Sequence, residues 1–177
     1  MLIFTDGSHS LKPRMSGLGA VIIHNNHEIS IGGYSTDCRD NNVAEIAAIA
    51  MACKFVKENN YKAKTISIIS DSETALRKIT CEAFGQDDYE QKCLDYIRDF
   101  IMENPKVNFM QVKGHQTDRN KLSYYNSMAD AIAGDYRKMG LELERTKPSK
   151  RKIKKFKKSN MTNYELFNIK KHSGWEK

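Results

Sequence analysis

The chain opens on a run of apolar and β-branched residues, Leu2-Ile3-Phe4-Thr5, that ends in Asp6. Such a run predicts a short strand. Gly17 to His24 and Glu28 to Tyr34 predict two more, joined by Asn25-Asn26-His27, because asparagine tolerates positive φ in tight turns. Three strands in succession form an antiparallel meander, with His9 to Ser16 read as its first loop. From Val43 to Val56 the period changes. Val43, Ile46, Ala47, Ile49, Ala50 and Cys53 recur at helical spacing, and Asp40, Asn41 or Asn42 stands where a cap belongs. Thr65 to Ser70 predicts a fourth strand, followed by a helix from near Ser72. Gly85 to Asp88 breaks the pattern before a helix over Tyr89 to Met102. Pro105 leads into a fifth strand, Val107 to Val112. A polar loop spans Lys113 to Lys121, and a last helix runs from Ser123 to Lys138, ending before Gly140.

The order β-β-β-α-β-α-α-β-α predicts an α/β fold, a five-stranded mixed sheet flanked by helices with the first strand central. Strand ends at one edge of such a sheet gather functional groups. Asp6 ends the first strand and Asp71 the fourth, so parallel pairing of these strands sets the two carboxylates side by side. Glu45 lies one turn into the first helix among Ala44, Ile46 and Ala47; Asp130 lies in the last helix between Ala129 and Ala131. Singly, each acid reads equally well as a turn residue, a cap or a solvated helix position. Four carboxylates in one small volume would repel. A divalent cation that prefers hard oxygen ligands, Mg²⁺ or Mn²⁺, relieves that repulsion. Two such ions, about 3.5–4 Å apart, form a clamp suited to in-line phosphodiester cleavage.

These motifs carry a family resemblance. Ile3-Phe4-Thr5-Asp6-Gly7-Ser8 resembles the first catalytic motif of type 1 ribonuclease H, and Asn41-Asn42-Val43-Ala44-Glu45 resembles the second. Ser70-Asp71-Ser72 resembles the third; Val112-Lys113-Gly114-His115, followed by Asn126-Ser127-Met128-Ala129-Asp130, resembles the last. The set runs in the family's order from residue 2 to about residue 138. The resemblance implies a ribonuclease H-like fold and hydrolysis of the RNA strand of an RNA–DNA hybrid, leaving 5′-phosphate and 3′-hydroxyl ends. It makes Asp6, Glu45, Asp71 and Asp130 the ligands of two Mg²⁺ ions, with Mn²⁺ as a substitute. His115 becomes a catalytic proton carrier, and Gly7, Ser8, Asn41, Asn42 and Asn126 become contacts to the two strands. Three features depart from the family pattern. The first loop carries Lys12-Pro13-Arg14 in place of a glycine-rich stretch, Glu73 stands where a neutral amide often follows the third acid, and the loop between His115 and Asp130 is longer.

Charge divides the chain. The formal net charge is +7, but residues 141–177 hold 12 Lys and Arg against 4 Asp and Glu, whereas residues 1–140 hold 17 against 18. A catalytic domain over 1–140 and a basic extension over 141–177 follow. Some family members grip the duplex with a basic, Trp-rich protrusion; here that region, Cys81 to Glu90, is short and acidic. A slightly acidic body binds a polyanion poorly. The extension, with Lys150, Arg151, Lys152, Lys154, Lys155, Lys157 and Lys158 around Ile153 and Phe156, is the candidate replacement.

No segment is long and apolar enough for a membrane span, and the first residues lack a basic region before an apolar stretch, against a signal peptide. Cys38, Cys53, Cys81 and Cys93 show no CxxC spacing, so reduced structural thiols in a cytoplasmic monomer are expected. The partner expected is a hybrid duplex, with no membrane. Two other readings fit the pattern: a non-catalytic module binding hybrid or double-stranded RNA, which would have lost an acid, and a related nuclease such as a DNA exonuclease or a reverse transcriptase domain.

Overall fold

The computed structural model describes residues 1–104, 106–112 and 121–146, together with the backbone of 163–164 and 169–170. Strands β1 (Leu2–Leu11), β2 (Arg14–His24) and β3 (His27–Ser35) form the meander, followed by helix α1 (Asn41–Glu58) and strand β4 (Ile66–Ser70). Helices α2 (Glu73–Thr80) and α3 (Asp88–Glu103), strand β5 (Val107–Gln111) and helix α4 (Lys121–Thr146) complete the predicted order. The five strands lie in the order β5-β4-β1-β2-β3, which puts β1 at the centre. β1 pairs antiparallel with β2 and parallel with β4, and β4 pairs parallel with β5, so the sheet is mixed as expected.

Alternation along the strands sends neighbouring residues to opposite faces. Ile3 and Ile68 join α1, α2 and α3 on one face; Phe4, Val21 and Ile69 meet α4 around Ala129 on the other. Helix α1 is buried from Val43 through Cys53 with few breaks beyond it. That is why its apolar pattern runs nearly all the way round.

Local chemistry explains most boundaries. Asn25 and Asn26 both adopt positive φ, 49° and 64°, in the two-residue β2–β3 turn. Asp40 caps α1, its Oδ1 accepting the Val43 N–H at 3.0 Å, and Ser72 caps α2 by accepting from Ala75.

Three expectations need correction. His9 to Ser16 is largely strand, because the β1–β2 ladder continues to Leu11↔Arg14 and pairing absorbs the polar residues. Helix α4 does not stop before Gly140 but runs to Thr146. Gly140 faces Met15 and Tyr34, where a Cβ would lie 2.5 Å from the Met15 sulfur, so it is a packing position inside the helix. The sheet also has two extra two-residue strands, β6 (Asn163–Tyr164) and β7 (Ile169–Lys170), added beyond β3 through Tyr34↔Lys170. An edge strand offers free N–H and C=O groups to such pairing. Among the described residues no helix is long and apolar enough to cross a membrane.

Candidate active site

The parallel β1–β4 register, Ile3↔Ile68 and Phe4↔Ile69, brings Asp6 and Asp71 to the same edge two residues further on. Asp6 is still within the β1 ladder, opposite Gly19. Asp71 follows β4 directly, and its carbonyl accepts from the Glu73 N–H at 3.1 Å as the chain turns into α2. Glu45 comes from α1, which crosses β1 at Gly7. A Cβ on Gly7 would fall 2.3 Å from the Ala44 carbonyl carbon, so only glycine lets helix and strand approach this closely. One carboxylate oxygen from each of Asp6, Glu45 and Asp71 lies within 4.8 Å of the others.

Asp130 stands slightly apart. It is on the exposed side of α4, outside that tight trio, yet its charge acts on both Asp6 and Glu45. The seat of α4 explains its position. Gly19 of β2 lies under the α4 backbone, where a Cβ would be 2.2 Å from the Ala129 carbonyl oxygen, one residue before Asp130.

The electrostatics follow from burial and crowding. Asp6, 6% exposed, titrates at about 7 because burial, then the charges of Asp71 and Asp130, disfavour its ionised form. Glu45, 4% exposed, is pushed to about 9 by burial and then by Asp6, Asp71 and Asp130, with the Gly7 N–H partly opposing the rise. Asn41 donates to Glu45 Oε1 at 3.5 Å, while Glu45 Oε2 is buried without a hydrogen-bond partner among the described residues. Buried polar oxygens are normally paired. An unpaired carboxylate oxygen among two more carboxylates is a donor set fit for a hard divalent cation.

The remaining expected residues divide. Ser8 is partly exposed next to Asp6, and Asn41 and Asn42 are exposed at the start of α1. Asn126 is buried on α4, with its Oδ1 unpartnered among the described residues. Gly7 is buried beneath α1. Glu73 occupies the exposed first turn of α2, where a negative charge suits the helix N-terminus. His115 and the tail residues Lys150, Arg151, Lys152, Lys154, Lys155, Lys157 and Lys158 lie outside the described residues. Sequence reading overlooked Arg39, Lys78 and Glu90. They lie far apart along the chain, and only packing of α1, α2 and α3 joins them.

Comparison with known proteins bears on the family and the fold. Over 144 residues the chain is 27% identical to the ribonuclease H of Acetivibrio thermocellus, covering 75% of this chain and 91% of that one. Its fold superposes on LC11 ribonuclease H1, isolated from compost and solved in complex with an RNA/DNA hybrid, with a TM-score of 0.59 at 22% identity. That match covers 79% of this chain and 98% of the LC11 chain. It also superposes on the prototype foamy virus protease-reverse transcriptase, with a TM-score of 0.62 and 21% identity over 77% of this chain. There it spans only 20% of the viral chain. The RNase H family model matches residues 1–138, and the chain belongs to the RNase H family.

Proposed function

We propose that the protein is an endonuclease that hydrolyses the RNA strand of RNA–DNA hybrids with two Mg²⁺ ions, Mn²⁺ serving as a substitute. The products are 5′-phosphate and 3′-hydroxyl ends. One observation carries the reading: three carboxylates from β1, α1 and the end of β4 meet within 4.8 Å, with a buried oxygen on Glu45 that is unpaired among the described residues. Family membership and the hybrid complex of the LC11 relative support the same substrate.

Asp6, Glu45, Asp71 and Asp130 would hold the cations. Bound there, divalent cations would activate the water nucleophile and stabilise charge on the leaving oxygen. The rest belongs to the chain's own groups. Asn41 fixes the Glu45 carboxylate by donating to Oε1. Ser8, partly exposed, and Asn42, exposed, can donate to phosphates and to the 2′-hydroxyls that distinguish a hybrid from DNA. His115 is assigned proton movement near the leaving group, and the basic residues from Lys150 to Lys158 hold the duplex backbone.

The test is cleavage of labelled RNA–DNA hybrid, double-stranded RNA and single-stranded RNA in Mg²⁺ or Mn²⁺, by wild type and Asp71→Asn. Hybrid-selective cleavage that disappears in Asp71→Asn is expected. Hybrid binding without cleavage in either cation would favour the non-catalytic module instead.

A further inference from the structure

Glu90 is a fully buried carboxylate at the start of α3, and three donors converge on it from different parts of the chain. Lys78 Nζ of α2 lies 2.5 Å from Oε1; the Gln86 backbone N–H and Arg39 Nη2 lie 2.7 and 2.8 Å from Oε2. Arg39 reaches further. Its Nη1 lies 2.7 Å from Asp87 Oδ2, and its Nε lies 3.1 Å from Asp40 Oδ2. Both of those acids are helix caps: Asp40 accepts the Val43 N–H of α1, and Asp87 accepts the Glu90 N–H of α3. One guanidinium therefore joins the first turns of α1 and α3, and through Glu90 it is tied to α2.

The three helices also share an apolar core. Apolar contact is non-directional and by itself fixes no angle between polar groups. Charge-assisted hydrogen bonds with a planar guanidinium set distance and angle. What they set here bears on the carboxylates, because α1 carries Glu45 in its second turn and α2 begins beside Asp71. The same contacts turn Arg39 inward. Each of its nitrogens faces an acid of the chain, so this cation, two residues before Asn41 along the chain, is neutralised from within rather than presented to phosphate.

We propose that Arg39, Glu90 and Lys78 are positioning residues that hold α1 and α2 at the separation at which Glu45 and Asp71 share a divalent cation. The inference rests on the metal-site reading above and names the group of residues that sets its geometry. It also gives a role to the short acidic segment around Asp87 and Glu90, which closes onto the β3–α1 connection instead of projecting toward a duplex.

The full chain, free of nucleic acid, is titrated with Mn²⁺ while its thermal midpoint is followed, so binding is read without catalysis. Arg39→Ala and Glu90→Gln are expected to raise the Mn²⁺ concentration at half-effect by about tenfold or more, as loss of a supporting shell around metal ligands does. Arg39→Lys should recover part of this shift. Lys57→Ala, which breaks an exposed ion pair with Glu103 remote from the network, should leave it unchanged. If Arg39→Ala does not fold, Glu90→Gln and Arg39→Lys carry the comparison. Folded variants with wild-type Mn²⁺ midpoints overturn the positioning role, even where their melting temperatures in the absence of cation are lower. A wild-type protein that neither responds to Mn²⁺ nor cleaves hybrid overturns the metal reading itself, and the inference with it.

Discussion

Asn41 donates from Nδ2 to Oε1 of Glu45 at 3.5 Å across one turn of α1, leaving Oε2 of the same carboxylate buried and, among the described residues, without a partner. Holding one oxygen while sparing the other orients a ligand without occupying it. Glu45→Gln replaces the spare oxygen or its mate by an NH₂ donor. Turnover on hybrid should fall by about 100-fold or more, since removing one ligand forfeits several kcal/mol of charge stabilisation. Asn41→Ala should lower cation affinity more than turnover at saturating Mg²⁺. Steady-state rates over a Mg²⁺ series check both, and wild-type turnover in Glu45→Gln would refute the assignment.

The crowded acids also set the pH dependence of stability. Asp6 titrates at about 7 and Glu45 at about 9 in the folded chain, against ordinary values of 3.8 and 4.5. Between those limits the folded state holds more protons than the unfolded state, so stability falls as pH rises. The contribution is complete below the ordinary values and is lost as pH climbs through about 7 for Asp6 and about 9 for Glu45. In chelator, the melting temperature should decline from mildly acid to alkaline pH. Mg²⁺ should restore it, and Asp6→Asn should flatten the slope. A cation-free melting temperature that holds steady or climbs over that range would contradict the buried cluster.

Two glycines give opposite expectations. Gly19→Ala places a Cβ 2.2 Å from the Ala129 carbonyl oxygen, a backbone contact that no rotamer relieves. It should destabilise by about 3 kcal/mol and shift Asp130 with α4. Gly134→Ala, in the same helix with open space around it, should stabilise by about 1 kcal/mol through helix propensity. Denaturant unfolding of both variants measures the pair. Similar effects from the two would mean that α4 does not sit on β2 as described.

Because α4 continues to Thr146, a test of the basic extension cuts after that residue rather than before Leu141. Deleting residues 147–177 should raise the Michaelis constant for hybrid and flatten its salt dependence by several units of logarithmic slope, with turnover nearly kept. An unchanged salt slope would remove the extension from substrate binding.

Much of this protein was legible in the order of its residues. Strand and helix periods, the Asn25-Asn26 turn, a cap for α1 among Asp40, Asn41 and Asn42, a helix start near Ser72 and the central place of β1 are local or topological consequences of residue type. Even the acids stood out, because Glu45 interrupts an apolar helix and Asp6 and Asp71 each follow an apolar, β-branched run, although Asp6 proves to lie inside β1 and only Asp71 follows the end of its strand. The reading failed where a local signal had a distant cause. Gly140 looks like a helix stop until Met15 and Tyr34 are packed against it, and the polar stretch from His9 to Ser16 looks like a loop until the β1–β2 ladder claims it.

By itself, then, the sequence determined the order of five strands and four helices and the candidate ligands, though not every boundary, since backbone preference and hydrophobic period act over a few residues. Tertiary structure alone decided how near those ligands stand. The 4.8 Å trio, the outer place of Asp130 and the Arg39–Glu90–Lys78 network each join segments remote along the chain. Their separation depends on how closely α1 and α4 settle onto the sheet at Gly7 and Gly19, a matter of packed volume that no local pattern encodes.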